Sequence, residues 1–198
     1  MFPRMTETTK EQLVSAASKL LDSGGQHAVT LRAVAEQVGV SHNAPYRHFP
    51  SRSALLAAVA ERDFDRLRQA FEDQVSAGHD AETALRNAAA ALIEYAVQHK
   101  ARYRLLFSDP GLLPEPSLRH AALGSFQAFG LIVSRCQREG ILPAIDAVSL
   151  TGLIYAALHG AIDLELGGRA SESKGLGSIE ATVGLLFHLL KNVDLNAA

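Results

Sequence analysis

Residues Thr30 to Arg52 read TLRAVAEQVGVSHNAPYRHFPSR. Thr30 belongs to the residue types that cap helix N-termini, and Leu31, Val34, Ala35 and Val38 behind it fall at i, i+3, i+4 and i+7, one face of a helix. The pattern predicts a helix over about Leu31 to Val38. Gly39 stands where a helix ends in the left-handed conformation, and Val40 supplies apolar contact behind the turn, which sets the angle of the next segment. Ser41 can cap a second short helix, in which His42, Asn43, Tyr46 and Arg47 reach outward while Ala44 and Phe49 face inward. Two short helices on a tight turn form a helix-turn-helix, and the second fits the major groove of duplex DNA.

Pro45 conflicts with a cap at Ser41. There it removes the first intrahelical hydrogen bond and disfavours helical geometry at Ala44. With Asn43 as the cap, Pro45 falls in the first turn, where its missing N–H costs nothing and its fixed φ suits a helix. The second helix is therefore expected to start late. Within the motif, Thr30 and Ser41 stand at helix starts. His42 and Asn43 are the candidate base readers, and Tyr46, Arg47 and His48 are candidates for phosphate and base contact. Arg32 and Arg52 are phosphate candidates whose plain alternative is exposed surface charge.

The segment resembles the N-terminal part of the TetR-type transcriptional regulators (the TetR/AcrR family). The residues that carry the resemblance are Ala16-Ala17, Leu20-Leu21, Thr30, Gly39-Val40-Ser41, Tyr46-Arg47-His48-Phe49 and Leu55-Leu56. Two departures stand out: Arg52 replaces the usual lysine and keeps its charge, and Ala44-Pro45 replaces a more common pair such as Thr-Leu. Further on, Leu158-His159-Gly160 is similar to part of a Trp-His-Gly signature found in one group of these C-terminal domains, with leucine in the tryptophan place. The resemblance implies an all-α protein, with a three-helix DNA-binding head over residues 1–53 and a larger helical ligand-binding and dimerisation domain over 54–198. It also implies a homodimer that binds a palindromic operator, represses transcription, and is released by a small-molecule effector.

Composition agrees. A chain of 198 residues buries enough surface to need neither disulfide nor metal, and its single cysteine, Cys136, cannot pair internally, which fits a reducing cytoplasm. Met1-Phe2-Pro3-Arg4-Met5 lacks the apolar core of a secretory signal, and no stretch is expected to approach the ~18 apolar residues of a membrane span. The net charge of −2 is unevenly spread: residues 1–53 hold six Lys/Arg against four acids, and the remainder 13 against 17. The bias favours docking the N-terminal end on phosphate, but with so few cations one copy binds weakly, and two copies on one duplex roughly double the phosphate contacts.

The remainder reads as helices. Helix one carries Val14, Ala17, Leu20 and Leu21 and stops at Gly24-Gly25. A long amphipathic run from Ser53 to about Val75 connects head to body and is followed by Gly78. Further helices are expected over about Asp80 to His99, Arg102 to Phe107 and Ser117 to Glu139, with Pro110, Pro114 and Pro116 bracketing a loop. Ala147 to Leu166 and Ile179 to Leu190 are apolar on most sides and are assigned to the dimer seam. There Gly152, Ala156, Ala157, Gly160 and Ala161 permit close backbone approach. Gly167 to Gly177 reads as a polar loop.

Phe64, Phe71, Tyr95, Tyr103, Phe107, Phe126 and Phe129 form a set of aromatics along the middle helices. Ordinary core packing explains such a set, and so does an apolar cavity with a few polar groups such as His159, the makeup of a small-molecule site. His159 and Asp163, four apart, are too few ligands for a metal. No phosphate loop, nucleophile elbow or Cys-x-x-Cys motif suggests enzyme chemistry, and no cofactor is implied.

Overall fold

The computed structural model describes residues 8–108 and 115–193. The proline loop expected around Pro110 and Pro114, and the residues Met1 to Met5, lie outside these. Every regular element among the described residues is helical: α1 Thr9–Ala28, α2 Leu31–Val38, a short 3-10 turn Pro45–Arg47, α3 Arg52–Ser76, α4 Ala81–Gln98, α5 Lys100–Phe107, α6 Pro116–Arg138, α7 Ala147–Leu166, a second 3-10 turn Glu172–Lys174, and α8 Ile179–Asn192.

Local chemistry sets the ends. Thr8 and Glu11 form a reciprocal capping box on α1, Thr30 accepts from Ala33 N–H at 3.0 Å to start α2, and Asp146 and Ser178 do the same for α7 and α8. Gly25 breaks α1 with φ 67° and ψ −168°, so the last turn, through Ala28, leaves the helix axis at the position where the sequence places a stop. Gly39 closes α2 at φ 77°, and its N–H bonds back to Ala35 and Glu36 carbonyls.

The chain packs as two compact units, one of residues 1–64 with 99–122 and the other of residues 65–98 with 123–198. Packing therefore groups the chain differently from a single cut after residue 53, because the divisions fall within α3 and α6 and α5 joins the first unit.

In the first unit, Leu13, Ala17 and Leu21 of α1, Leu31 and Val34 of α2, Phe49, and Leu55, Val59 and Phe64 of α3 form one core, to which α5 adds Leu105. An ion-pair cluster is buried beside it. Arg102 of α5, only 4% exposed, places Nη1 3.0 Å from both carboxylate oxygens of the fully buried Asp63 of α3, and its Nε 3.0 Å from Asp22 of α1. His99 lies 3.2 Å from the other oxygen of Asp22, and Arg62 donates to the Ser15 and Ser18 hydroxyls of α1.

In the second unit α7 packs on α4 and α8 and buries Leu150, Ile154, Leu158 and Ile162. Cys136 is buried and donates to Ala81 O at 3.2 Å. Burial, with Glu139 nearby, pushes its thiol up to about 11, so it is a packed thiol and not a nucleophile.

By length and composition α7, with 20 residues and a mean hydropathy of 1.4, is apolar enough to cross a membrane, although no such stretch was expected. Its Gly, Ala, Thr, Tyr and His residues interrupt any continuous large apolar run yet leave the mean high.

Candidate nucleic-acid interface

The segment after Gly39 is where structure and sequence part most. It contains no α-helix. Pro45 has no N–H to offer Ser41 O, so the only bond closing there is from Ala44 N–H, three residues on, at 2.9 Å. Ala44, not Asn43, precedes the helical turn. It carries no side-chain cap, and Pro45 takes the first helical position. Pro45 O then accepts from both His48 N–H (3.0 Å) and Phe49 N–H (2.8 Å), and Pro50 follows at once. The recognition element is thus a chain of tight turns ending in one 3-10 turn, which starts late as Pro45 requires but never becomes an α-helix.

Its side chains are sorted by burial. Pro45 and Phe49 are buried, Ala44 is half-buried, and Ser41, His42, Asn43, Tyr46, Arg47 and His48 are all exposed. Tyr46 is 60% exposed, a large aromatic held out in water by the two residues that anchor the turn on the core. This turn packs on α2, and Arg32, in the first turn of α2 after its Thr30 cap, is also exposed. The row offers donors, hydroxyls, an amide and imidazoles with no acidic residue from Thr30 to Arg52 except Glu36, a set suited to phosphate and base edges.

Arg52 has a different first occupation. Its Nε donates to Val29 O at 2.7 Å and its Nη2 to Gln26 O, so the guanidinium ties the broken end of α1 to the first turn of α3. Sequence reading assigned it to phosphate because the cation at this position aligns with the family's lysine; the carbonyls that claim it become visible only when α1 is folded back on α3.

The aromatics expected as one set fall into two. Phe64, Tyr103 and Phe107 pack together in the first unit, with Phe107 5.4 Å from Phe64 and 5.0 Å from Tyr103 between ring centres. In the second unit Phe71 meets Phe129 at 5.5 Å. Tyr155 gathers Phe126 at 5.3 Å, Phe129 at 6.1 Å and His159 at 4.3 Å, while Tyr95 is half-buried on α4. Sequence reading missed Tyr155, although its spacing of four from His159 on one helix carried the signal. At Phe126, a cleft of about 420 Å³ between α6 and the start of α7 is lined mainly by apolar groups, with the polar side chains of Gln127, Ser134 and Thr151 beside them.

Burial holds the His159 imidazole down at about 4, against the opposing pull of Asp163. The unfolded chain, near 6.5, thus takes up a proton that the folded one refuses, so this contribution to stability is complete above pH ~6.5 and is lost as pH falls toward 4. Compared by urea unfolding at pH 7 and pH 4.5, the wild type should lose on the order of 2 kcal/mol more than His159→Phe; equal losses would show that the ring is protonated in place.

A three-helix core that displays a turn-mounted polar row defines the helix-turn-helix class, and comparison with known proteins narrows it. The family described as "Bacterial regulatory proteins, tetR family" matches residues 13–59, and "Tetracyclin repressor-like, C-terminal domain" matches residues 85–183, half of the chain. The chain belongs to the TetR family of transcriptional regulators, which are not enzymes. It is 32% identical over 98 residues to the HTH-type transcriptional activator FasR of Mycolicibacterium smegmatis, spanning 50% of this chain and 45% of that one. It is 38% identical over 58 residues to the HTH-type transcriptional repressor KstR of Rhodococcus jostii, 29% of this chain and 27% of that one. The chain thus spans less than half the length of these two relatives. Among solved structures, a protein of unknown function from Rhodococcus sp. RHA1 superimposes with a TM-score of 0.77 at 27% identity, covering 96% of this chain and 97% of that one. The fold is shared with the fatty acid degradation regulator FadR of Bacillus halodurans, at a TM-score of 0.72, 15% identity and coverage of 95% and 97%.

Proposed function

We propose that the protein is a cytoplasmic, ligand-responsive repressor that binds a palindromic DNA operator as a homodimer and leaves it when a small, largely apolar effector binds. The exposed row Ser41, His42, Asn43, Tyr46, Arg47 and His48, mounted on buried Pro45 and Phe49, carries this reading. His42 and Asn43 read bases, and Tyr46, Arg47, His48, Arg32 and the start of α2 at Thr30 hold phosphate. Arg52, expected among the phosphate contacts, has its Nε and Nη2 on two carbonyls and is left out of this set. A 3-10 turn offers fewer side chains to the groove than a full recognition helix, so base readout falls on few positions and phosphate contact carries more of the affinity.

Homodimerisation is supported by what α7 and α8 leave uncovered. Leu153, Leu185 and Leu189 are each more than half exposed, and a Cβ placed at Gly152, Gly160 or Gly184 would meet nothing within 4 Å. Reading a palindrome would require the two heads of such a dimer to stand about one DNA turn, ~34–36 Å, apart. The effector site of this reading is the aromatic set around Tyr155, with Phe71, Tyr95, Phe126, Phe129 and His159. Phe64, Tyr103 and Phe107 serve the core of the first unit. An effector that favours splayed heads lowers DNA affinity by its differential affinity for the two states. The repressor sign is supported by the match to KstR, while FasR, an activator, shows that the family uses both.

The test is selection of random duplex DNA by the purified protein, followed by salt titration on the winner. A palindromic site is expected, and Arg47→Ala should lower the salt slope by about 1 while weakening all sequences alike, whereas Asn43→Ala should cost about 1–3 kcal/mol and relax preference at one position per half-site. A folded, dimeric protein that enriches no sequence would sink the reading.

A further inference from the structure

In the first unit an open cleft of about 490 Å³ lies at the broken end of α1, lined by Gly25, Gln26, His27, Arg52, Ala101 and Arg104. Its volume is that of a small-metabolite site. Among the described residues that line it, two are arginines, one is a histidine, and none is acidic. Arg52 is already oriented: Nε and Nη2 are held by Val29 O and Gln26 O, and among the described residues Nη1 has no acceptor. The bond from Nη2 also occupies a carbonyl of Gln26, one of the lining residues. His27 and Arg104 are exposed, on separate segments of the cleft wall. A guanidinium with a fixed plane is the group that grips a phosphate or carboxylate through paired N–H donors.

We propose that this cleft is a binding site for a small molecule bearing a phosphate or carboxylate group, held by Arg52 and Arg104 with His27 adding a ring N–H. Because α1, the start of α3 and α5 each supply a lining group, the bound anion ties all three together and stabilises the folded head. The site belongs to the first unit alone and does not depend on the aromatic set around Tyr155 taking an effector. Duplex DNA phosphate is the rival occupant.

Inorganic phosphate, and separately acetate, is titrated by calorimetry into the full-length protein without DNA, at ionic strength held constant with chloride. Saturable binding of one anion per chain is expected, weakened about tenfold or more in Arg104→Ala, which removes a charge-assisted bond at an exposed position. Tighter binding of phosphate than acetate assigns the site to phosphate esters, and the reverse to carboxylates. Binding that does not saturate, or that Arg104→Ala leaves unchanged in a variant shown by its melt to be folded, overturns the proposal. So does a fall of about 1 in the salt slope of operator binding in Arg104→Ala, which would place the cleft on DNA. Since the titration contains no DNA, its failure leaves the regulator reading standing.

Discussion

Asp63→Ala should cost the protein roughly 3–5 kcal/mol, a large share of the ~5–15 kcal/mol typical of a folded protein. Asp63 is fully buried and Arg102 4% exposed, so deleting the carboxylate strands a guanidinium that water cannot reach. Asp22 bonds its Nε. Replacing both partners, as Asp63→Leu with Arg102→Met, should recover most of the loss, because the desolvation cost goes with the charges. Urea unfolding of the three proteins measures this. A loss below about 1 kcal/mol in Asp63→Ala would mean that α5 moves enough to hydrate Arg102 or give it wholly to Asp22. The cluster joins α1, α3 and α5 within the first unit, so the variant that folds worst should also bind DNA worst, through loss of the head's frame and not of a DNA contact.

In the homodimer proposed above, Leu185→Glu with Leu189→Glu should leave a monomer in sedimentation at micromolar concentration. Both side chains are 58% exposed in the isolated chain and lie one turn apart on α8. Exposed carboxylates there cost little to the monomer, but sealed between two copies they would be buried without partners, at several kcal/mol each. Operator affinity should fall as dimerisation is lost, by about 10²-fold or more, since each copy brings half of the phosphate contacts. Far-ultraviolet circular dichroism should stay unchanged. A variant that remains dimeric would move the interface elsewhere, and Leu131→Glu with Val148→Glu, on the exposed face beside the cleft of α6 and α7, is the next pair to test.

Much of the head was legible in the chain. Thr30, the 3.6-residue spacing of Leu31, Val34, Ala35 and Val38, and Gly39 define a capped helix and its left-handed end by local chemistry, and α2 has those bounds. Likewise Ala147–Leu166 appears as one helix because Asp146 caps it and Gly167 follows. Pro45 gave a correct warning about a late start, yet the cap fell on Ala44 and the turn stayed 3-10, since two prolines five residues apart leave too few N–H groups for an α-helical ladder.

What the sequence determined by itself is whatever depends on neighbours a few residues away: the helices, their caps, the breaks at Gly25 and Gly39, and the outward row from Ser41 to His48. Tertiary structure alone decided which long-range partners meet. It set Arg102 between Asp22 and Asp63, drew Arg52 onto the carbonyls of α1, divided the aromatics between two units, and gathered one group of them around Tyr155. Charge and aromaticity can be read from the chain, but the partner that satisfies them comes from elements tens of residues away, and no local periodicity encodes that choice.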